Sequence, residues 1–242
     1  MKHILKKAGA AALELLYPGR CPVCHRILAD RKLLVCPACA ARLKPYLGPG
    51  CMKCGKPVGE AEEYCPECAS RNRFFTEGRG IYLYDSVMRA SMVRYKYYGC
   101  REYGDFYAAA LVRYGEKEIR RWKPDLLIPI PLHPSKQRKR GFNQAEYLAR
   151  RLGERLKIPV ASGLLRKTRR TRSQKKLDSR ERRENLKGAF ETTERADGLA
   201  VLLIDDVYTT GSTMDAAAEC LRNAGAAKVF FLTVCTGTDR AQ

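Results

Sequence analysis

At 242 residues the chain has room for one large domain, or for one of ordinary size plus a small module. Its formal net charge of +20 points to anionic partners or substrates, either phosphates or nucleic acid. No run approaches the roughly 18 apolar residues that span a bilayer, and nothing resembles a secretory signal, because Glu14 breaks the apolar stretch from Ala8.

Residues 4 to 16 are expected to form a short amphipathic helix, residues 1–20 standing apart as an N-terminal unit. Ile4, Leu5, Ala8, Ala12, Leu15 and Leu16 make its apolar side, and Pro18 and Gly19 end it. Packing on the rest of the chain is a simpler use for that side than a membrane anchor.

Residues 21–75 read as a Cys-rich, metal-binding module. Eight of the eleven cysteines fall in it as Cys-x-x-Cys pairs: Cys21/Cys24, Cys36/Cys39, Cys51/Cys54 and Cys65/Cys68. The segment is an internal repeat, for Cys21-Pro-Val-Cys24 is echoed by Cys51-Met-Lys-Cys54, and Cys36-Pro-Ala-Cys39 by Cys65-Pro-Glu-Cys68. Each pair makes a tight knuckle whose N–H groups face both sulfurs, and two knuckles supply a tetrahedral S4 site suited to Zn²⁺. So few large apolar side chains cannot build much of a core, so metal would supply folding energy. A redox role needs one reactive pair rather than four. Sequential pairing is the simplest assignment, though a crossed arrangement fits the spacing too. His25 lies among the thiols, but the ligand count is complete without it. Paired thiols in a cytosolic chain favour metal over disulfides.

From residue 76 to 242 the pattern is α/β. Ile81–Tyr84 reads as a strand, residues 87–114 as largely helical, Leu126–Pro131 as a buried strand, and Asn143–Leu156 as a helix with Ala145, Leu148, Ala149, Leu152 and Leu156 inward. Val201–Ile204 and Val229–Cys235 are further strands, and the alternation implies a parallel sheet with right-handed crossovers flanked by helices. Cys100, Cys220 and Cys235 have no partner pattern and read as small core residues. His133 reads as an ordinary loop residue.

Charge is uneven: residues 133–183 hold 18 Lys or Arg against four acids. One cationic stretch, His133 to Gln144, follows a strand; a second runs from Arg166 to Arg183. By default such runs are solvated loops. Arg94-Tyr-Lys-Tyr-Tyr98, with Arg101 and Tyr103, interleaves cations and aromatics as a single-stranded nucleic-acid surface would, while packing of those tyrosines on the sheet is an equal alternative.

The most informative stretch is Val201-Leu-Leu-Ile-Asp-Asp-Val-Tyr-Thr-Thr-Gly-Ser-Thr213. A buried strand is expected to end at Asp205 and Asp206. A hydroxyl-rich turn then enters a helix with Met214, Ala217, Ala218 and Leu221 on one face, stopped by Gly225. Strand, acidic pair, phosphate-sized turn and helix make a ligand site at the carboxyl end of a sheet. The plainer alternative is a turn whose Thr and Ser merely cap the helix. No Gly-x-Gly-x-x-Gly and no Gly-x-x-x-x-Gly-Lys appears, so dinucleotide and P-loop readings lack their motifs.

This stretch resembles the signature of type I phosphoribosyltransferases, which bind phosphoribosyl pyrophosphate (PRPP). The Cys-rich start, Arg140-Gly-Phe-Asn-Gln144, the run from Arg170 to Leu177, Asn185–Phe190 and Ile204–Thr213 together resemble the ComF family of competence-associated bacterial proteins. The resemblance covers nearly the whole chain. It implies a phosphoribosyltransferase-type parallel sheet behind a double zinc-ribbon-like module, with Zn²⁺ structural and PRPP and Mg²⁺ at the sheet. It places the ribose hydroxyls on Asp205 and Asp206 and the 5′-phosphate on Thr209, Thr210, Gly211, Ser212 and Thr213. The pyrophosphate falls to the loop carrying Lys136, Arg138, Lys139 and Arg140, and the second basic stretch would close over PRPP. Tyr208 departs from the family pattern, where a Val or other small residue is common.

Membership implies handling of single-stranded DNA during transformation, with Arg169, Arg170, Arg172, Lys175 and Lys176 as candidate contacts. It also implies competence or recombination proteins as partners, and a cytoplasmic location that meets the inner face of the membrane through the uptake machinery. The alternative is an active enzyme transferring a phosphoribosyl group to an unknown nitrogen nucleophile through an oxocarbenium-like transition state, with the basic loops and Mg²⁺ stabilising the departing pyrophosphate.

Overall fold

The computed structural model describes residues 18–30, 32–169, 186 and 188–238. The expected helix over 4–16 and the cationic run from 170 to 183 lie outside them. In chain order the described residues form α1 (Pro37–Arg42), α2 (Pro66–Ala69), β1 (Glu77–Leu83), α3 (Ser86–Tyr97), α4 (Tyr103–Trp122), β2 (Leu126–Pro129), α5 (Pro134–Arg140), α6 (Gln144–Leu156), β3 (Leu165–Lys167), β4 (Phe190–Thr192), β5 (Ala200–Tyr208), α7 (Ser212–Asn223) and β6 (Lys228–Thr236). Four strands make an all-parallel sheet in the order β1-β6-β5-β2, and β3 and β4 pair as a separate antiparallel hairpin.

Both faces of the sheet are covered, which is why its central strands read as unbroken apolar runs. Leu202 and Ile204 of β5 and Phe230 and Leu232 of β6 face a layer made by α3, α4 and α6. Val201, Leu203, Val229 and Phe231 face the opposite layer, made by α7, the β3–β4 hairpin and the second Cys-rich unit. Helix α6 turns Ala145, Leu148, Ala149 and Leu152 inward as its periodicity predicts. Its N-cap Asn143 accepts from the Ala145 N–H and donates to the Ile130 carbonyl at 3.1 Å, which ties the helix to the end of β2. In α7 the buried face is Met214, Ala217, Ala218 and Leu221, again as expected.

The stretch over 87–114 is largely helical as expected, divided into two helices where Gly99 adopts φ +75°. Two expectations need correction. Strand β5 does not end at the acidic pair but runs on to Tyr208 alongside β6. The presumed loop after β2 contains α5, whose N-cap is His133, with the His133 ring nitrogen accepting from the Ser135 N–H at 3.2 Å.

Candidate ligand pocket and metal centres

Helices that follow β2 lie on one face of the sheet and the helix that follows β5 on the other. The carboxyl ends of these neighbouring strands are therefore a topological switch point, where the outgoing chains diverge and leave a crevice. Asp205 and Asp206 stand there. The two-residue alternation of β5 shifts at this pair: Val207 packs with the layer of Leu202 and Ile204, while Tyr208 joins that of Val201 and Leu203. At the shift the Asp205 carboxylate accepts from the Asp206 N–H at 2.8 Å.

The turn beyond enters α7 through Gly211, the N-cap, at φ +76°. A Cβ there would run into the Tyr208 hydroxyl, so glycine is required for both conformation and space. Gly211 has no side chain to cap α7; the Thr210 hydroxyl accepts from the Ser212 N–H at 3.5 Å and meets the Ser212 hydroxyl at 3.0 Å. The first turn of the helix thus keeps its N–H end and dipole toward the turn, as anion binding needs.

Cations neighbour the acids, and one of them, Lys96, was not assigned to the pocket from the sequence. Lys96 of α3 reaches Asp206 at 2.5 Å. Burial works against its charge, but Asp206, with Asp205 behind it, outweighs that and holds the ammonium above its ordinary range. Asp205 is driven the other way: burial and the neighbouring Asp206 push its carboxyl up to about 8, against the pull of Lys96. Lys167, on β3, is lowered to about 8 by burial and by Lys136, with Asp205 opposing. These couplings bring Lys136, Lys167 and Asp205 into one electrostatic neighbourhood. Arg140 is turned away, its guanidinium 5.0 Å from the centre of the Tyr97 ring and bonded to the Tyr97 hydroxyl at 3.2 Å and to Gln144. A sequence signal for Lys96 existed: it falls one helical turn after Met92 on the stripe that buries Met88, Met92 and Tyr95, and a lysine on a buried stripe needs a partner.

The tyrosine-rich segment divides. Tyr95 and Tyr103 are core residues, whereas Tyr97 and Tyr98 are 62% and 73% exposed. Arg101 lies 4.9 Å over the Phe142 ring and donates to the Gly141 carbonyl at 3.0 Å. Of the five cations singled out for nucleic acid, Arg169 is exposed, and Arg170, Arg172, Lys175 and Lys176 lie outside the described residues. The Tyr208 ring lies in the sheet layer, stacked on Phe231 at 4.6 Å, and its hydroxyl end reaches the turn, against the Gly211 backbone.

The sulfurs of Cys21, Cys24, Cys36 and Cys39 lie within 4.8 Å of one another, as do those of Cys51, Cys54, Cys65 and Cys68. This is the sequential pairing. Cys24 to Cys36 is 3.8 Å and Cys54 to Cys65 is 3.7 Å, matching the edge of about 3.8 Å of a tetrahedron with Zn–S bonds of about 2.3 Å. A second feature fits metal at the latter site: the buried Tyr208 hydroxyl has no hydrogen-bond partner among the described residues and lies beside Cys54. A zinc-bound thiolate would accept a hydrogen bond from it. His25 is no ligand; its Nδ1 meets the Tyr103 hydroxyl at 2.5 Å and docks the first knuckle on α4. Cys100 and Cys235 are buried and Cys220 half-buried, the small packing residues expected.

Comparison with known proteins agrees with both halves. Residues 12–69 match the double zinc ribbon domain, and residues 109–242 match the phosphoribosyl transferase domain. Competence protein ComFC of Bacillus subtilis is 33% identical over 80% of each chain. Competence protein F of Haemophilus influenzae is 28% identical over 87% of this chain and 93% of its own. The DNA utilization protein YhgH of Salmonella typhi is 29% identical over 91% and 98%. The purine phosphoribosyltransferase structure from Pyrococcus horikoshii Ot3 matches at TM-score 0.35 and 18% identity, over 55% of this chain and 81% of that one, a likeness that says nothing of substrate. A four-stranded parallel sheet with its acidic switch point, two four-thiol zinc sites and these whole-length relatives make the chain a member of the ComF family of competence proteins, a double zinc ribbon joined to a phosphoribosyltransferase domain.

Proposed function

We propose that the crevice beyond β2 and β5 binds PRPP together with Mg²⁺. The observation that carries this reading is the juxtaposition at one strand end of two adjacent carboxylates, a glycine-opened helix N-terminus and the cations Lys96, Lys136 and Lys167. Asp205 and Asp206 would accept from the ribose hydroxyls, and Thr209, Thr210, Gly211, Ser212 and Thr213 would wrap the 5′-phosphate. Lys136 and Lys167 would face the pyrophosphate, joined by Arg140 once it leaves Tyr97. Mg²⁺, when bound, shields pyrophosphate charge. In an active transferase the same cations would stabilise the leaving group while a nitrogen nucleophile attacks the anomeric carbon. Calorimetry and thermal melting with Mg²⁺-PRPP test the pocket: ligand should raise the melting temperature of wild type and leave Asp205→Asn unshifted. Asp205 is the cleaner position, because removing Asp206 strands Lys96 with an unpaired buried charge at a cost of about 3–5 kcal/mol. Equal affinity in wild type and Asp205→Asn would remove the ribose role.

A second activity, binding of single-stranded DNA beside the pocket, is favoured by a specific surface. Exposed Tyr97 stands against Arg140, exposed Tyr98 and Arg101 follow it along the chain, and α5 presents Lys136, Arg138 and Lys139 to solvent. Rings for stacking and cations for phosphates are what a strand without sequence preference requires. The names of the relatives, competence and DNA utilization proteins, agree with this role for the chain. On this reading the protein works in the cytoplasm with competence or recombination proteins.

A further inference from the structure

The segment that leaves the second zinc ribbon, Arg71 to Phe75, is packed against the turn after β5. The Arg73 side chain is fully buried. Its Nη2 donates to the Thr210 carbonyl at 3.1 Å, and its two terminal nitrogens stand 3.5 Å from Asp215 and 3.5 Å from Glu67. Asp215, in the first turn of α7, also accepts from the Phe74 N–H at 2.9 Å. Glu67, on α2 between the ligands Cys65 and Cys68, is held in turn by Lys56 at 3.3 Å. The guanidinium lies within reach of the Cys68 sulfur. Phe75 then sets its ring edge-on to Phe231 at 5.0 Å and to Tyr208 at 6.4 Å. Gly55, in the Cys51/Cys54 knuckle, approaches β1 so closely that a Cβ would lie 2.8 Å from the Gly78 carbonyl oxygen.

From this geometry we infer that Arg73 is a positioning residue of the phosphate turn, and that the second zinc ribbon is part of the ligand pocket rather than an appended module. The inference rests on the PRPP reading of that turn. A planar trans peptide points its C=O and N–H in opposite directions. With the Thr210 carbonyl fixed on Arg73, the Gly211 N–H is aimed away from the ribbon, out of the other side of the turn. Gly211 at φ +76° has the freedom to flip that peptide, and Arg73 removes it. Asp215 holds the helix start to the same guanidinium. The four thiols around Cys68 thus set the direction of a backbone donor in the pocket through a single buried side chain.

The test is calorimetric and uses the full chain with zinc bound. Ribose 5-phosphate probes the turn, inorganic pyrophosphate with Mg²⁺ probes the opposite end of the pocket, and Mg²⁺-PRPP spans both. Arg73→Gln should weaken ribose 5-phosphate and PRPP by about tenfold or more, the value of a charged hydrogen bond. It should leave pyrophosphate affinity and a content of two zinc ions per chain unchanged. Arg73→Lys, which keeps charge but cannot bridge carbonyl and carboxylate together, should fall between. If Arg73→Gln loses zinc or unfolds, Asp215→Asn serves instead, since it retains an acceptor for the Phe74 N–H and removes the charge that holds Arg73 at 3.5 Å and Arg71 at 3.9 Å; it should show the same selective loss. Wild-type affinity for ribose 5-phosphate in zinc-replete variants would overturn the role of Arg73 and leave the pocket standing. A uniform loss of both probes would overturn it too, as general destabilisation. Failure of wild type to bind any of the three would instead remove the PRPP reading beneath it.

Discussion

At the scale of single residues, the pocket is a charge problem solved by unequal partners. Asp206 has Lys96 at 2.5 Å, and Asp205 has burial and a like charge against it. The direction of the resulting pH dependence follows. Folded Asp205 holds its proton up to about 8, whereas the unfolded chain releases it near the ordinary 3.8. Between those values the folded state binds the extra proton, so this residue makes stability fall as pH rises through the window. Asp206, Lys96 and Lys167 face it and set the size of the effect. Asp205→Asn should flatten the urea midpoint between about pH 5 and about pH 8.5 and should be the more stable protein at the upper end. Parallel pH curves for the two proteins would refute this. The acidic pair and the turn from Thr209 to Thr213 were legible in the sequence because the chemistry is contiguous, with strand, acids, turn and helix in thirteen successive residues. Arg73 was not, and Lys167 was legible only as one member of the second basic stretch. Each is one cation among 46, and only the packing of distant elements brings it to the site.

Among elements, what the sequence hid are the pieces with no local period. Strands β3 and β4 are three residues each and pair across more than twenty intervening residues without a turn motif, so neither alternation nor hairpin chemistry announces them. The passage of β5 through two aspartates was equally unannounced, since its pairing with β6 rather than its composition sustains the strand. The zinc ribbons were legible as ligand sets, but their unequal coupling to the sheet was not. Cys51, Cys54 and Cys65 belong to the same apolar layer as Phe75, Phe231 and α7, whereas Cys24 is exposed. Damage to the first ribbon should therefore disturb the α/β domain less than damage to the second. Protein purified without chelator should carry two zinc ions per chain. Cys24→Ser should lose one with little change in the main melting transition, and Cys54→Ser should lose the other and lower that transition by roughly 5 °C or more. Equal effects of the two variants on melting would contradict this asymmetry.

Across the whole molecule, the proposed DNA track and the pocket meet at α5, which presents Lys136 toward Lys167 while Arg140, at its other end, lies on Tyr97. None of the described helices is long and apolar enough to cross a membrane. Stacking and phosphate neutralisation leave different signatures on that track. Replacing Tyr98 by Ala should weaken single-stranded DNA by about 1–3 kcal/mol for the base it no longer stacks, without altering the slope of log affinity against log salt. Replacing Arg138 and Lys139 by Ala should lower affinity and flatten that slope by about 0.7 for each phosphate left without its cation, because every neutralised phosphate releases a counterion. Replacing Arg169, Arg170, Arg172, Lys175 and Lys176 together tests the second basic stretch by the same slope. A salt-independent affinity in wild type would rule out the electrostatic track, and an unchanged affinity in Tyr98→Ala would rule out the platform. Saturating Mg²⁺-PRPP adds the coupling. It would draw Lys136 into the pocket and Arg140 off Tyr97, so DNA affinity should fall in wild type and stay constant in Asp205→Asn. An equal fall in both proteins would mean that PRPP competes as a free polyanion rather than through the pocket.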